Sequence, residues 1–159
     1  MLWSIYKEYW RVKRCSPQRC PSSGDQLTQG GNAMGQDEKT PIRVLIVDND
    51  EKILSILREY LELSHYQVRT AVSGLEALKL LRGEHYDVLL TDIVMPDISG
   101  LGLIEIARKE FPELPIIAMT GYGKQVRNLT SEHAPDDYLE KPFSLEALSK
   151  AVESLLHRA

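Results

Sequence analysis

From residue 41 onward, short apolar runs alternate with segments whose apolar residues recur every three or four positions. The runs at 43–47, 88–91 and 115–120 are rich in Val, Ile and Leu, and those at 67–72 and 137–139 carry Val68, Val72, Tyr138 and Leu139 among polar residues. They read as strands. Between them, residues 51–64 place apolar side chains at 53, 54, 57, 60 and 61, a helical stripe. Ser73 followed by Glu76 predicts a capping box that opens a helix with Leu75, Leu78 and Leu81 on one side and Gly83 at its end. Residues 101–111 read as a helix stopped by Pro112, and 124–132 as a weak one. Ser144 caps a last helix with Leu145, Leu148, Val152 and Leu155 along one face.

Five strands alternating with five helices predict an α/β fold. Strands this apolar need cover on both faces, which calls for a parallel sheet. Right-handed crossovers then give a doubly wound five-stranded parallel sheet with five helices. The sequence shows no internal repeat. The domain reading is a disordered N-terminal extension over 1–40 and one folded domain over 41–159.

Composition divides the chain the same way. Of 159 residues, 43% are hydrophobic and 26% charged, ordinary globular material. Residues 1–40 hold six Lys/Arg and four Asp/Glu, and residues 41–159 hold thirteen and nineteen, giving +2 and -6. An acidic fold argues against a nucleic-acid face and suits carboxylates gathered for a cation. Residues 16–40 are rich in Ser, Gln, Gly and Pro, too polar to offset the entropy of ordering. Before them, residues 1–12 carry Leu2, Trp3, Tyr6, Tyr9 and Trp10 at roughly helical spacing. No apolar run approaches the ~20 residues that span a bilayer. Cys15 and Cys20 lie in the extension without metal-ligand partners nearby, and the fold itself has none, which fits a reducing, cytoplasmic setting.

The candidate chemistry sits at the strand ends. Asp48-Asn49-Asp50 ends the first strand, Asp92 the third, Thr120 the fourth and Lys141-Pro142 the fifth. In a parallel sheet all four lie at one carboxyl edge, where open α/β sheets bind ligands. Carboxylates crowded together need a cation among them, and oxygen ligands suit Mg²⁺. A carboxylate can accept a phosphoryl group covalently, and a Lys and a Thr hydroxyl can hold the phosphoryl oxygens.

Taken together, Val-Asp-Asn-Asp, Asp-Ile-Val-Met-Pro-Asp-Ile-Ser-Gly, Met-Thr-Gly-Tyr-Gly and Asp-Tyr-Leu-Glu-Lys-Pro-Phe make the chain from Ile42 to about Leu156 resemble a response regulator receiver domain of two-component signalling. The resemblance implies the flavodoxin-like receiver fold. It implies Asp92 as phosphoacceptor, and Asp48, Asn49, Asp92 and the carbonyl of Val94 as Mg²⁺ ligands. It further implies Thr120 as switch hydroxyl, Lys141 as phosphate-binding lysine, Tyr138 as aromatic switch, and a cis Lys141–Pro142 bond. The implied donor is a histidine kinase or a histidine phosphotransfer protein. The implied output is a downstream protein docking on the 124–132 helix, the fifth strand and the last helix, with no direct nucleic-acid contact.

The chain departs from the family pattern twice. Asn49 stands where an acid usually does, so the expected Mg²⁺ affinity is weakened, with Asp50 compensating through water. The segment from Thr120 to Lys141 is one residue short, and Pro135 disfavours helical backbone at Ala134. With Val94 and Tyr122 offering no base for an attacking water, slow self-dephosphorylation is expected. The rival readings are a receiver-fold interaction module that never takes phosphate, and a phosphatase-like enzyme. The second lacks the acid such chemistry needs two residues after Asp92, where Val94 stands.

Overall fold

The computed structural model describes residues 40–121 and 134–158. The apolar runs form strands β1 (Arg43–Val47), β2 (Gln67–Ala71), β3 (Val88–Asp92), β4 (Ile116–Thr120) and β5 (Asp137–Glu140). All pair parallel in one sheet of order β2-β1-β3-β4-β5. Four helices are present among the described residues: α1 (Glu51–Leu63), α2 (Gly74–Gly83), α3 (Gly100–Glu110) and α4 (Leu145–Leu156). The helix read over 124–132 and the disorder expected before Thr40 lie outside the described residues.

Alternation along the strands splits the core into two layers. Val44, Ile46, Val88, Leu90, Ile117 and Met119 face α1 and α4, while Leu45, Val47, Leu89, Ile116 and Ala118 face α2 and α3. Every residue of β3 and β4 is buried, the mark of central strands covered on both faces. Each buried Leu or Ile contributes roughly 1.5–3 kcal/mol by leaving water.

The helix starts are set by short polar side chains. Asp50, Ser73, Ser99 and Ser144 each accept a first-turn backbone N–H. The capping box is only half made. Ser73 accepts from the Glu76 N–H, but the Glu76 carboxylate reaches past Ser73 to the Val72 N–H at 2.9 Å. The predicted stripe of α2 also needs correcting. Leu78 and Leu81 are buried, but Leu75 is 53% exposed and Ala77 takes its place inside. Positions 75, 78 and 81 drift about 60° around the helix at each step of three, so Leu75 lies about 120° from Leu81 and off the buried stripe of 74, 77, 78 and 81. The stripe of α4 is buried as predicted.

Arg108 ties the far end of α3 to the chain entering β5. Its guanidinium donates to the Leu114 and Ala134 carbonyls and pairs with Asp136, whose carboxylate also accepts the Ile116 N–H. These bonds fix where β5 starts, and therefore where its end delivers Lys141.

Candidate functional site

In the order β2-β1-β3-β4-β5, chain direction reverses sides between β1 and β3. A crevice opens at that switch point, outside the carboxyl ends. Asp48 follows β1 and Asp92 ends β3, so both carboxylates flank it. Lys141 follows β5 and its N–H donates to the Thr120 carbonyl at 2.7 Å, which brings the β5 end level with β4. Its side chain crosses to the crevice. Lys141 Nζ lies 2.9 Å from Asp48 Oδ2 and 3.3 Å from Asp92 Oδ1. One ammonium thus bridges two carboxylates from different strands, all three groups being nearly buried.

The structure places the remaining predicted residues around this trio. Thr120 is buried at the end of β4. By strand alternation it shares a sheet face with Ala118, the register partner of Tyr138. Tyr138 is half-buried against the α2–α3 core layer, behind Thr120. The Val94 N–H donates to the Asp92 carboxylate, and the Val94 side chain is 58% exposed beside it. The Lys141–Pro142 bond is cis. Asn49 is exposed at the mouth of the crevice. Asp48 is held in place by the Asp50 N–H, which donates to its Oδ1 at 2.9 Å. The Asp50 Oδ1 accepts from the Lys52 and Ile53 N–H groups and so caps α1. Of the histidines, His65, His85 and His157 are exposed, as expected, and His133 lies outside the described residues.

Two glycines, Gly74 and Gly100, shape the site. A Cβ on Gly100 would sit 1.9 Å from the Asp92 carbonyl oxygen, so α3 starts in direct backbone contact with the end of β3. A Cβ on Gly74 would sit 2.9 Å from Ile98 Cβ, so α2 presses on the same loop. Asp97 takes φ 68°, the left-handed turn that returns the loop to the Gly100 N–H, itself donating to the Ile93 carbonyl at 2.9 Å. The close approach that demands Gly is a tertiary fact.

Burial pushes the Asp92 carboxyl above its ordinary range. The Lys141 ammonium opposes that, Asp48 adds to it, and the hydrogen bonds from Lys141 and the Val94 N–H oppose it. A carboxyl raised in the folded state binds its proton more tightly there than in the unfolded chain. Between the two values, stability therefore falls as pH rises, and the loss is complete once Asp92 is ionised in both states. In metal-free buffer at neutral pH, Asp92→Asn is expected to raise the melting temperature, since the Asp48–Lys141 pair survives it. The gain should shrink as pH drops towards the ordinary carboxylate range. Melting curves across pH check this, and a melting temperature lowered at neutral pH would contradict it.

The donors at the crevice are all oxygens: two buried carboxylates, one exposed amide and backbone carbonyls. This set suits a hard cation such as Mg²⁺. Among the described residues no group of three acidic, His or Cys side chains gathers anywhere, so such a cation would depend on Asp48 and Asp92 for its charge.

The family model described as response regulator receiver domain matches residues 44–153. A probable transcriptional regulator, ycf27, of Cyanophora paradoxa is 38% identical over 117 residues, which is 73% of this chain and 48% of that protein. Response regulator MprA of Mycobacterium sp. (strain KMS) is 35% identical over 119 residues, 74% of this chain and 52% of its own. The chain thus spans about half the length of the curated relatives it matches. Among solved structures, response regulator TrrA of Thermotoga maritima, in complex with Mg²⁺-BeF, aligns with TM-score 0.68 and 37% identity over 72% of this chain and 99% of that one. A CheY-like receiver domain protein of Methanospirillum hungatei JF-1 aligns with TM-score 0.71 and 32% identity over 75% of this chain and 96% of that one. No helix among the described residues is long and apolar enough to cross a membrane.

Proposed function

The chain belongs to the response regulator receiver domain family, and from that premise we propose that it accepts a phosphoryl group on Asp92 and uses it to switch a protein-binding surface. The observation that carries this reading is the Lys141 ammonium held within 3.3 Å of Asp92 and 2.9 Å of Asp48 at the switch-point crevice.

The donor is a phosphohistidine on a histidine kinase or a histidine phosphotransfer protein. An Asp92 carboxylate oxygen forms a bond to phosphorus, the phosphorus–nitrogen bond breaks, and the imidazole leaves with a proton from water. The product is an acyl phosphate. Asp48, Asn49, Asp92 and the Val94 carbonyl would hold Mg²⁺, which when bound offsets the charge of the incoming phosphoryl oxygens. Lys141 is already aimed at the acceptor oxygen and exchanges a carboxylate partner for a phosphoryl oxygen. Thr120 donates its hydroxyl to another phosphoryl oxygen. Tyr138 packs inward behind Thr120 and carries the change to the surface of β5 and α4. The acidic fold favours an output through protein contacts in the cytoplasm. Incubation with acetyl phosphate and Mg²⁺ tests the acceptor chemistry. Intact mass should show the gain of one phosphoryl group, and an unchanged mass would sink the proposal.

Asn49 leaves the site one charge short, and charge count tunes cation affinity. Asn49→Asp is expected to tighten Mg²⁺ roughly tenfold, read by calorimetry. An unchanged affinity would remove Asn49 from the ligand set. The acyl phosphate should be long-lived, minutes rather than seconds, because exposed Val94 offers no base to orient water. A half-life of seconds in a mass time course would contradict that.

The shortage of acids also favours one alternative, a receiver-fold module whose partner binds without phosphate. Its mark would be partner binding unaltered by Asp92→Ala.

A further inference from the structure

The large apolar side chains most open to solvent among the described residues are Leu63, Val72, Leu75 and Val94. Leu63 ends α1 at the amino edge of the sheet. The other three stand at the carboxyl edge, on segments that flank the phosphoacceptor crevice. Val72 follows β2 directly, where the Asp48 N–H donates to the Ala71 carbonyl at 3.2 Å. Leu75 lies in the first turn of α2, one residue past Gly74, which is packed against Ile98. Ile98 belongs to the loop that carries Val94, two residues after Asp92. The exposure is 43% at Val72, 53% at Leu75 and 58% at Val94. Apolar side chains scattered singly over a surface are ordinary, but several around one polar site mark a contact surface.

The crevice itself says what covers them. Asp92 is only 7% exposed, so a protein donor must push its phosphorylated side chain inward and lay the surface around it on the rim. The phosphoryl group passes directly from the imidazole nitrogen to the Asp92 oxygen, one bond breaking as the other forms. Both surfaces are therefore in contact at transfer. Water left between them would weaken the charge interactions at the site, and an apolar rim excludes it. On a helix, residues three and four positions to either side of a phosphohistidine lie about 5–6 Å from it. Apolar side chains at those positions can cover the rim while the imidazole reaches into the crevice. Exposed Glu51, Glu76 and Asp97 outnumber Lys52 at the same edge, which suits basic residues further out on the donor.

We infer that Val72, Leu75 and Val94 form the apolar rim on which a protein phosphodonor docks, through apolar side chains that flank its phosphohistidine on a helix. The inference deepens the phosphoacceptor reading and rests on it. Docking beside α2 leaves β5 and α4 open to the output partner.

Acetyl phosphate needs no such rim, so it separates the two claims. The protein-like donors are two lactam-stapled helical peptides, each with one phosphohistidine. One carries Leu three and four residues to either side of it, and the other carries Ser at those positions. With Mg²⁺ present, intact mass should show the Leu peptide phosphorylating the full chain at least about tenfold faster than the Ser peptide, as expected when half-exposed apolar side chains leave water. Val72→Ser and Leu75→Ser should each cut that advantage roughly threefold, and the double variant should remove it. The rate from acetyl phosphate should stay the same in all three variants. Equal rates from the two peptides would overturn the inference. So would an advantage that survives the double variant, or an equal loss of rate from acetyl phosphate. Self-association of the full chain that the double variant abolishes would also overturn it, by giving the rim to a second copy. No mass gain from acetyl phosphate in the unaltered chain would sink the phosphoacceptor reading, and this inference with it.

Discussion

Asp92→Asn is expected to abolish phosphoryl transfer, lowering the rate from any donor by at least ~10³-fold, as when a nucleophile has no substitute. The amide keeps the shape of the side chain but lacks the charge that attacks phosphorus. Asp48 cannot replace it, because its Oδ1 is taken by the Asp50 N–H and its Oδ2 by Lys141. The variant should remain folded. Incubation with a phosphorylated kinase and intact-mass readout checks this directly, and a full mass gain in the variant would move the acceptor elsewhere.

The second large effect is on stability. Gly100→Ala would drive a methyl group to 1.9 Å from the Asp92 carbonyl oxygen and 2.6 Å from the Ile93 Cα. Those atoms are backbone at the end of a fully buried strand, so no rotamer change relieves the clash. The start of α3 must shift away from β3, and the Gly100–Ile93 hydrogen bond goes with it. The expected cost is about 2–4 kcal/mol, above the ordinary range for overpacking. The melting temperature should fall by roughly 10 °C or more, and phosphorylation should slow because the loop carrying Val94 moves. Gly83 is the control, since a Cβ there meets nothing within 4 Å. If Gly100→Ala melted like Gly83→Ala, the close approach would have no energetic weight.

The strands were legible because a strand buried on both faces is a continuous apolar run, as in Val88-Leu-Leu and Ile116-Ile-Ala-Met. Parallel direction followed from the alternation with helices, and it alone brought Asp48, Asp92, Thr120 and Lys141 to one edge. The sequence could not show that Lys141 would span both carboxylates, nor that Asp50 would cap α1. Both depend on side-chain directions that spacing leaves open. Arg108 was unreadable for another reason. Its partners Leu114, Ala134 and Asp136 are separated from it by a loop, a strand and the approach to β5. Leu75 misled because steps of three drift around the helix, and the buried stripe runs through 74, 77, 78 and 81.

In the proposed function, four separated strand ends make one carboxylate an acceptor of phosphorus. The most direct measurement treats the full chain with acetyl phosphate and Mg²⁺, reduces the acyl phosphate with borohydride, and sequences the peptides by mass spectrometry. Reduction is expected at Asp92 alone, and none when Mg²⁺ is chelated. Modification at Asp48 or any other residue, or at none, would contradict it.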